Sequence, residues 1–367
     1  GGGSTGGPAT PDVKPNPTVA LSEANMAAGL SAEAQAMPAG IPLVDLGALY
    51  GSDPAGKKEV AAKIGAACDD IGFFYAVNHN VSVETIERAR AAVDRFFSLP
   101  LEEKLKVECD KNNRGYRKVG DTIHANGKAS ARDSFDLGFP VTEDDPEVKA
   151  GTPLDAPNNW PDMPGVRGAL EADYGETYTL GMKILEGFAI YLGKPEDFFT
   201  RHFTKPVADM VINHYLGANG LHISDQASGP HTDHGIVTIL WQDSLGGLEV
   251  MGKDGSWISA TPLRGSYVIN IGELMKRWTN GRFKATVHRV VHLQNKSRYS
   301  MPLFCNPNFR TIVDPRDLGI SDAEAKYPPV MSGDFLMSCF KATRKLWGAE
   351  DKAVVSNDDK LIEKPVE

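Results

Sequence analysis

His231-Thr232-Asp233-His234-Gly235 runs directly into the apolar segment Ile236-Val237-Thr238-Ile239-Leu240-Trp241. If these residues are extended, alternate side chains share a face, so His231 and Asp233 point one way while Thr232 and His234 point the other. An imidazole beside a carboxylate needs a second imidazole from a neighbouring strand to make the three-point face that suits non-haem Fe(II), with three coordination positions left open. His288, in Ala285-Thr286-Val287-His288-Arg289-Val290-Val291, is the candidate for that donor. A buried carboxylate flanked by imidazoles is costly without a metal, so His231, Asp233 and His288 read as ligands. His234 then faces away from the site, and Arg289, on the opposite face from His288, reads as a salt-bridge partner. His79, His124, His202, His222 and His292 have no companion spacing.

Around that stretch the texture is of short strands bounded by turn residues. The candidates from about residue 207 are Met210 to Tyr215, Ile236 to Trp241, Leu248 to Met251, Trp257 to Ala260, Tyr267 to Ile271, Ala285 to His292 and Tyr299 to Asn306. Gly246-Gly247, Asp254-Gly255 and Asn280-Gly281 supply turns between them. Strands of this number and length predict a double-sheet jelly roll over 207–345. Before it, Leu170, Tyr174, Tyr178, Gly181, Leu185, Phe188 and Leu192 recur at helical spacing and predict a long scaffold helix within 151–206. Residues 41–150 open β-α-β-α: a strand at Ile41 to Leu46, a helix carrying Val60, Ile64, Ala67 and Ile71, a strand at Gly72 to Val77, and a helix capped by Ser82. No Gly-rich phosphate loop follows either strand, so this is an α/β support region and not a nucleotide site. Asn113-Arg114-Gly115-Tyr116 reads as a loop and Ser134 to Gly138 as a short strand. Gly333 to Trp347 predicts a closing helix. Residues 1–40, rich in Gly, Ala, Pro and Ser, read as a flexible arm, and 346–367 as a charged tail.

Composition narrows the class further. The 367 residues carry 48 acidic against 39 basic side chains, a net charge of −9, with no Lys/Arg block, which argues against a nucleic-acid surface. Cys68, Cys109, Cys305 and Cys339 form no CxxC pair, so neither a disulfide framework nor a thiolate zinc site is expected, and a reducing cytoplasm is the expected setting. No apolar run is long enough to span a membrane.

Arg298-Tyr299-Ser300 adds a second constellation. On a strand, Arg298 and Ser300 share a face, and a guanidinium beside a hydroxyl is suited to gripping a carboxylate inside a barrel. The order H-T-D-x-G, H-R-V, R-x-S, together with Gly246-Gly247-Leu248-Glu249-Val250 and Asn270-Ile271-Gly272-Glu273, resembles the isopenicillin-N-synthase-like group of Fe(II)/2-oxoglutarate oxygenases over about residues 40–345. The whole is expected to be mostly β with flanking helices, a double-stranded β-helix (jelly roll) with an N-terminal α/β support region. Two positions depart from the pattern: Glu273 stands where Asp is common, and Leu216 where plant members often have proline.

The resemblance implies Fe(II) on His231, Asp233 and His288, the distal carboxylate of 2-oxoglutarate on Arg298 and Ser300, and Asn213 and Tyr215 beside the co-substrate. It implies hydroxylation or desaturation of a small organic molecule with O2, releasing succinate and CO2. It also points to Arg114, Tyr116, Phe135, Phe340 and Arg344 as substrate-facing. Two other readings stay open. One is an Fe(II) oxidase of the same family that does not use 2-oxoglutarate. The other is a zinc-dependent or non-catalytic jelly roll, since three protein ligands and an open position also describe catalytic zinc.

Overall fold

Two capping side chains start the helical layer. Asp53 accepts from the backbone N–H groups of Ala55 and Gly56 and opens α1, Pro54–Asp70. Ser82, the expected cap, accepts from Thr85 N at 3.1 Å and opens α2, Val83–Phe97. The long amphipathic repeat forms α3, Val166–Tyr191, whose buried side includes Leu170, Tyr174, Gly181, Leu185 and Phe188. The computed structural model describes residues 40–122, 130–217, 226–291 and 296–343, preceded by the short antiparallel pair Thr18–Val19 and Gln35–Ala36.

Two sheets face each other. The strands are β1 Leu43–Asp45, β2 Phe73–Val77, β3 Gly115–Arg117, β4 Arg132–Leu137, β5 Pro206–Tyr215, β6 Gln226–His231, β7 Val237–Gln242, β8 Leu248–Met251, β9 Trp257–Ser259, β10 Tyr267–Ile271, β11 His288–Val291 and β12 Arg298–Asn308. The major sheet has the order β1-β2-β10-β7-β12-β5-β4-β3 and the minor sheet β9-β8-β11-β6. Among the described strands of the two sheets only β1 and β2 form a parallel ladder. This is the expected jelly roll with flanking helices, though four of the eight major strands come from residues 43–137, so the sheet runs across the division expected at 207. Asn113-Arg114-Gly115-Tyr116, read as a loop, supplies the start of edge strand β3.

Strand alternation separates the two faces of the major sheet. Phe74, Phe135, Ile212, Ile239, Ile269, Met301 and Leu303 join the core beneath α1, α2 and α3. Phe73, Tyr75, Leu240 and Val268 turn the other way and meet Leu248, Val250 and Val290 of the minor sheet. The second group forms the interior of the roll. Polar side chains on that interior face are therefore exceptions to its apolar pattern, and they mark the site. Two further helices flank the roll: a short one, α4, Glu273–Trp278, which periodicity does not reveal, and the closing helix α5, Ser332–Thr343.

Of the buried carboxylates outside the site, Asp173 is the one with no ion-pair partner among the described residues. Asp173 on α3 is 1% exposed, and its Oδ1 has no hydrogen-bond partner. Burial and then the charge of Glu176 push it up to about 7. An acid raised on folding favours the folded state below its unfolded value, near 3.8, and that advantage is lost as pH climbs towards 7. Asp173→Asn should remove the dependence. Between pH 5 and 8 the wild type should lose on the order of 3 kcal/mol relative to the variant in urea titrations. Parallel stability curves for the two proteins would contradict this account.

Candidate active site

The quoted stretch is a crossover between sheets. His231 ends β6 of the minor sheet, Thr232 to Ile236 turn, and β7 of the major sheet starts at Val237, one residue later than expected. His231 and His288 are register partners across β6 and β11, so their rings come together, with centroids 4.4 Å apart. Asp233 is brought to them by the turn and not by strand alternation.

The turn is fixed by close packing. A side chain at Gly235 would overlap the Asn306 amide, which accepts from Ile236 N, and one at Gly272 would overlap the Gly235 carbonyl. The N–H groups opening α4 need acceptors outside the helix. Glu273 N donates to Asp233 O at 2.8 Å and Leu274 N to His234 O at 3.1 Å. Both glycine-bearing motifs, HTDHG and Asn270-Ile271-Gly272-Glu273, thus belong to one packed joint.

Three donor atoms converge there. Asp233 Oδ1 lies 3.6 Å from His231 Nε2 and 3.4 Å from His288 Nε2. Cis ligands bound at roughly 2.1 Å to one octahedral ion sit about 3 Å apart, so a small contraction would seat a metal. The other ring nitrogens are engaged: His231 Nδ1 is 2.7 Å from Gly229 O, and His288 Nδ1 is 3.1 Å from Thr286 O. A carbonyl only accepts, so each Nδ1 carries the proton and each Nε2 offers its lone pair to the centre. Asp233 Oδ2 accepts from Thr238 Oγ1 at 2.5 Å and Asn270 Nδ2 at 2.7 Å, which leaves Oδ1 as the free donor.

The charges favour a cation. Burial opposes ionisation of Asp233, but His288, His231 and the Asn270 hydrogen bond hold its carboxyl well below the usual range. Desolvation and the His288 charge push His231 down to about 3, so it is neutral at neutral pH although 38% of its side chain faces solvent. Burial lowers His288, yet its contact with Asp233 raises it overall. His234 lies outside this cluster, and Arg289 pairs with Glu249 at 2.6 Å.

A second set of polar atoms on the interior face of the major sheet is unfilled. Arg298 is 4% exposed, donates through Nη2 to Gln242 Oε1 at 3.2 Å, and leaves Nε and Nη1 without a partner. Asn213 Nδ2 donates to Ser300 Oγ at 3.2 Å, while Asn213 Oδ1 has no partner. Tyr215 lies under the Arg298 guanidinium at 5.0 Å. Burial raises the Tyr215 hydroxyl, but Arg132, Arg298 and hydrogen bonds from Arg132 and Ser300 bring it below its ordinary value. Buried donors are rarely left open. These fit a carboxylate, so the residues present suit both a metal and an anionic co-substrate.

Four of the five residues expected to face substrate are described, and their side chains are engaged elsewhere. Tyr116 pairs with Phe135 and Phe135 with Ile212, all three on the face that packs against the helices. The Tyr116 hydroxyl donates to Asp133, which also receives Lys104 Nζ and faces His214 Nδ1 at 2.8 Å. Arg114 is spent on Asp209 at 3.0 Å and on the Leu154 carbonyl at 2.8 Å. Phe340 packs in the helix-side core, and Arg344 lies outside the described residues. Thr238 and Gln242, which no motif singled out, prove to support Asp233 and Arg298. Their signal was a polar residue at alternate places on an apolar strand.

A jelly roll with this donor set, open coordination positions and an anchor for a carboxylate defines a non-haem iron oxygenase that uses a 2-oxo acid. Residues 41–163 match the family described as non-haem dioxygenase in morphine synthesis N-terminal, and 207–307 match the 2OG-Fe(II) oxygenase superfamily. A 2-oxoglutarate-Fe(II) type oxidoreductase of Emericella nidulans is 31% identical over 83% of this chain and 90% of its own. A homoarginine-6-hydroxylase of Arabidopsis thaliana is 33% identical over 78% and 90%. A Neurospora crassa protein solved with α-ketoglutarate and thymine superposes with a TM-score of 0.70 at 28% identity, over 81% of this chain and 95% of that one. The chain belongs to the 2-oxoglutarate- and Fe(II)-dependent oxygenase superfamily, and its cofactors are Fe(II) and 2-oxoglutarate.

Asn270→Ala should free Asp233 Oδ2 and weaken Fe(II) binding by about 10–100-fold, as loss of a partner that orients a ligand usually does. Anaerobic metal titration followed by fluorescence measures it. Wild-type affinity in that variant would show that Thr238 alone orients the carboxylate.

Proposed function

We propose that the protein hydroxylates a small organic molecule, with His231, Asp233 and His288 as the iron ligands and Arg298, Ser300, Asn213 and Tyr215 around 2-oxoglutarate. The observation that carries this reading is the meeting of three lone-pair donors whose opposite sides are already hydrogen-bonded. When bound, iron with 2-oxoglutarate and O2 supplies the oxidising power, and succinate and CO2 leave.

The side chains have separate tasks. Asp233 contributes the negative charge at the metal, held in one orientation by Thr238 and Asn270. The two imidazoles are held by backbone carbonyls, so neither ring has to reorient on binding. Arg298, buried with two idle N–H donors, supplies a charge-assisted fork for the distal carboxylate, and the Ser300 hydroxyl lies on the same face. A zinc hydrolase has no use for such an anchor, which favours the oxygenase chemistry. Hydroxylation over desaturation is supported by the homoarginine-6-hydroxylases among the relatives.

A small-molecule substrate accords with the thymine-bound neighbour, and the net charge of −9 speaks against nucleic acid as a partner. No described helix is long and apolar enough to cross a membrane. Buried thiols at Cys68 and Cys305, in no disulfide, accord with a reducing compartment such as the cytoplasm.

Adding 2-oxoglutarate to the Fe(II) protein under argon should produce a visible charge-transfer band, and air should then release succinate. A zinc-loaded protein should do neither, and activity with zinc under argon would sink the proposal. Asp233→Ala should abolish iron binding. Arg298→Ala should retain iron while losing about 2–5 kcal/mol of co-substrate binding. Unchanged co-substrate affinity there would remove Arg298 from the role.

A further inference from the structure

Arg132, Tyr215 and Arg298 stand in one row across the major sheet: Arg132 is the register partner of Tyr215 on β4 and β5, and Tyr215 that of Arg298 on β5 and β12. The adjoining polar row is Ser134, Asn213 and Ser300, two residues along each strand, so all six side chains share the interior face. Arg132 Nη1 donates to the Tyr215 hydroxyl oxygen at 3.2 Å, and its guanidinium carbon lies 5.7 Å from the ring centroid. Arg298 approaches the same ring at 5.0 Å. One phenol is therefore flanked by two guanidiniums.

What sets this pair apart is the missing counter-charge. Arg114 is matched to Asp209 at 3.0 Å and Arg117 to Asp136 at 2.7 Å, both deeply buried. Among the described residues no carboxylate pairs with Arg132 or Arg298. Two cations on one ring repel unless an anion lies between them. Arg132 is half-buried and so still accessible.

We propose that Arg132 is a positioning residue for the co-substrate. Its N–H donates to the Tyr215 oxygen and so holds the phenol in the orientation that faces the distal carboxylate of 2-oxoglutarate, beside Arg298 and Ser300. This rests on the reading of the site given above. It makes the site select a dianionic 2-oxo acid over one without the second carboxylate.

The test is calorimetric titration of the full chain, loaded with Fe(II) under argon, with 2-oxoglutarate and separately with pyruvate, which lacks the distal carboxylate. Arg132→Gln should raise the Kd for 2-oxoglutarate about tenfold and leave that for pyruvate unchanged, while Arg132→Lys should restore most of the loss. In a Tyr215→Phe background the added Arg132→Gln change should cost less than about twofold, because the two residues act through one contact. Wild-type affinity in Arg132→Gln, an equal loss for both acids, or the full loss persisting in the Tyr215→Phe background would each overturn the proposal. If Arg132→Gln melts early, Arg132→Met, titrated with both acids with and without the Tyr215→Phe change, decides by the same coupling. A wild-type protein that fails to bind 2-oxoglutarate would instead sink the reading of the site itself.

Discussion

The site depends on how the Asp233 carboxylate is divided. One oxygen is fastened to Thr238 and Asn270, both on the major sheet, and the other is presented to two imidazoles on the minor sheet. Metal geometry therefore requires the two sheets to be in register with each other, and Asp233 is the point at which that register is fixed. Burying a carboxylate is unfavourable by several kcal/mol when nothing meets it, so the same hydrogen bonds that aim it also offset its burial. The glycines at 235 and 272 belong to this arrangement, since they let the crossover and the start of α4 approach closely enough to share backbone hydrogen bonds.

Much of this was legible in the residues alone. Alternation within a strand placed Arg298 and Ser300 together, and helical periodicity located α3 and α2. The strand β6 went unread because Gly229 and Pro230 disfavour a ladder. Its place at the edge of the minor sheet explains why proline is tolerated there. The helix-side placement of Tyr116 and Phe135 is hidden in the sequence for a different reason. A sequence gives the parity of residues within a strand but not which face meets the core, and that was settled by pairing of Phe135 with Ile212, far along the chain. Asn270 was visible as part of a motif, yet its bond to Asp233 is a long-range contact that no local pattern encodes.

Polar groups on the two faces of the major sheet serve different ends. On the helix side, Asp133 gathers Lys104, Tyr116 and His214 into a closed network in which every charge has a partner. Such buried ion pairs contribute little net stability, but removing one member leaves a stranded charge, so they hold β3, β4 and β5 in a single alignment. On the interior side, Arg298 and Asn213 keep unmatched atoms.

The order of strands in space also differs from their order along the chain. β12 lies between β5 and β7, yet it is the last strand of the major sheet to be synthesised. On the ribosome, the facing edges of β5 and β7 must remain open until residues 298–308 emerge, exposing unpaired backbone and apolar side chains. The strand that carries the carboxylate anchor is thus also the one that closes the sheet, and the nascent chain is most vulnerable to aggregation just before its binding site becomes complete.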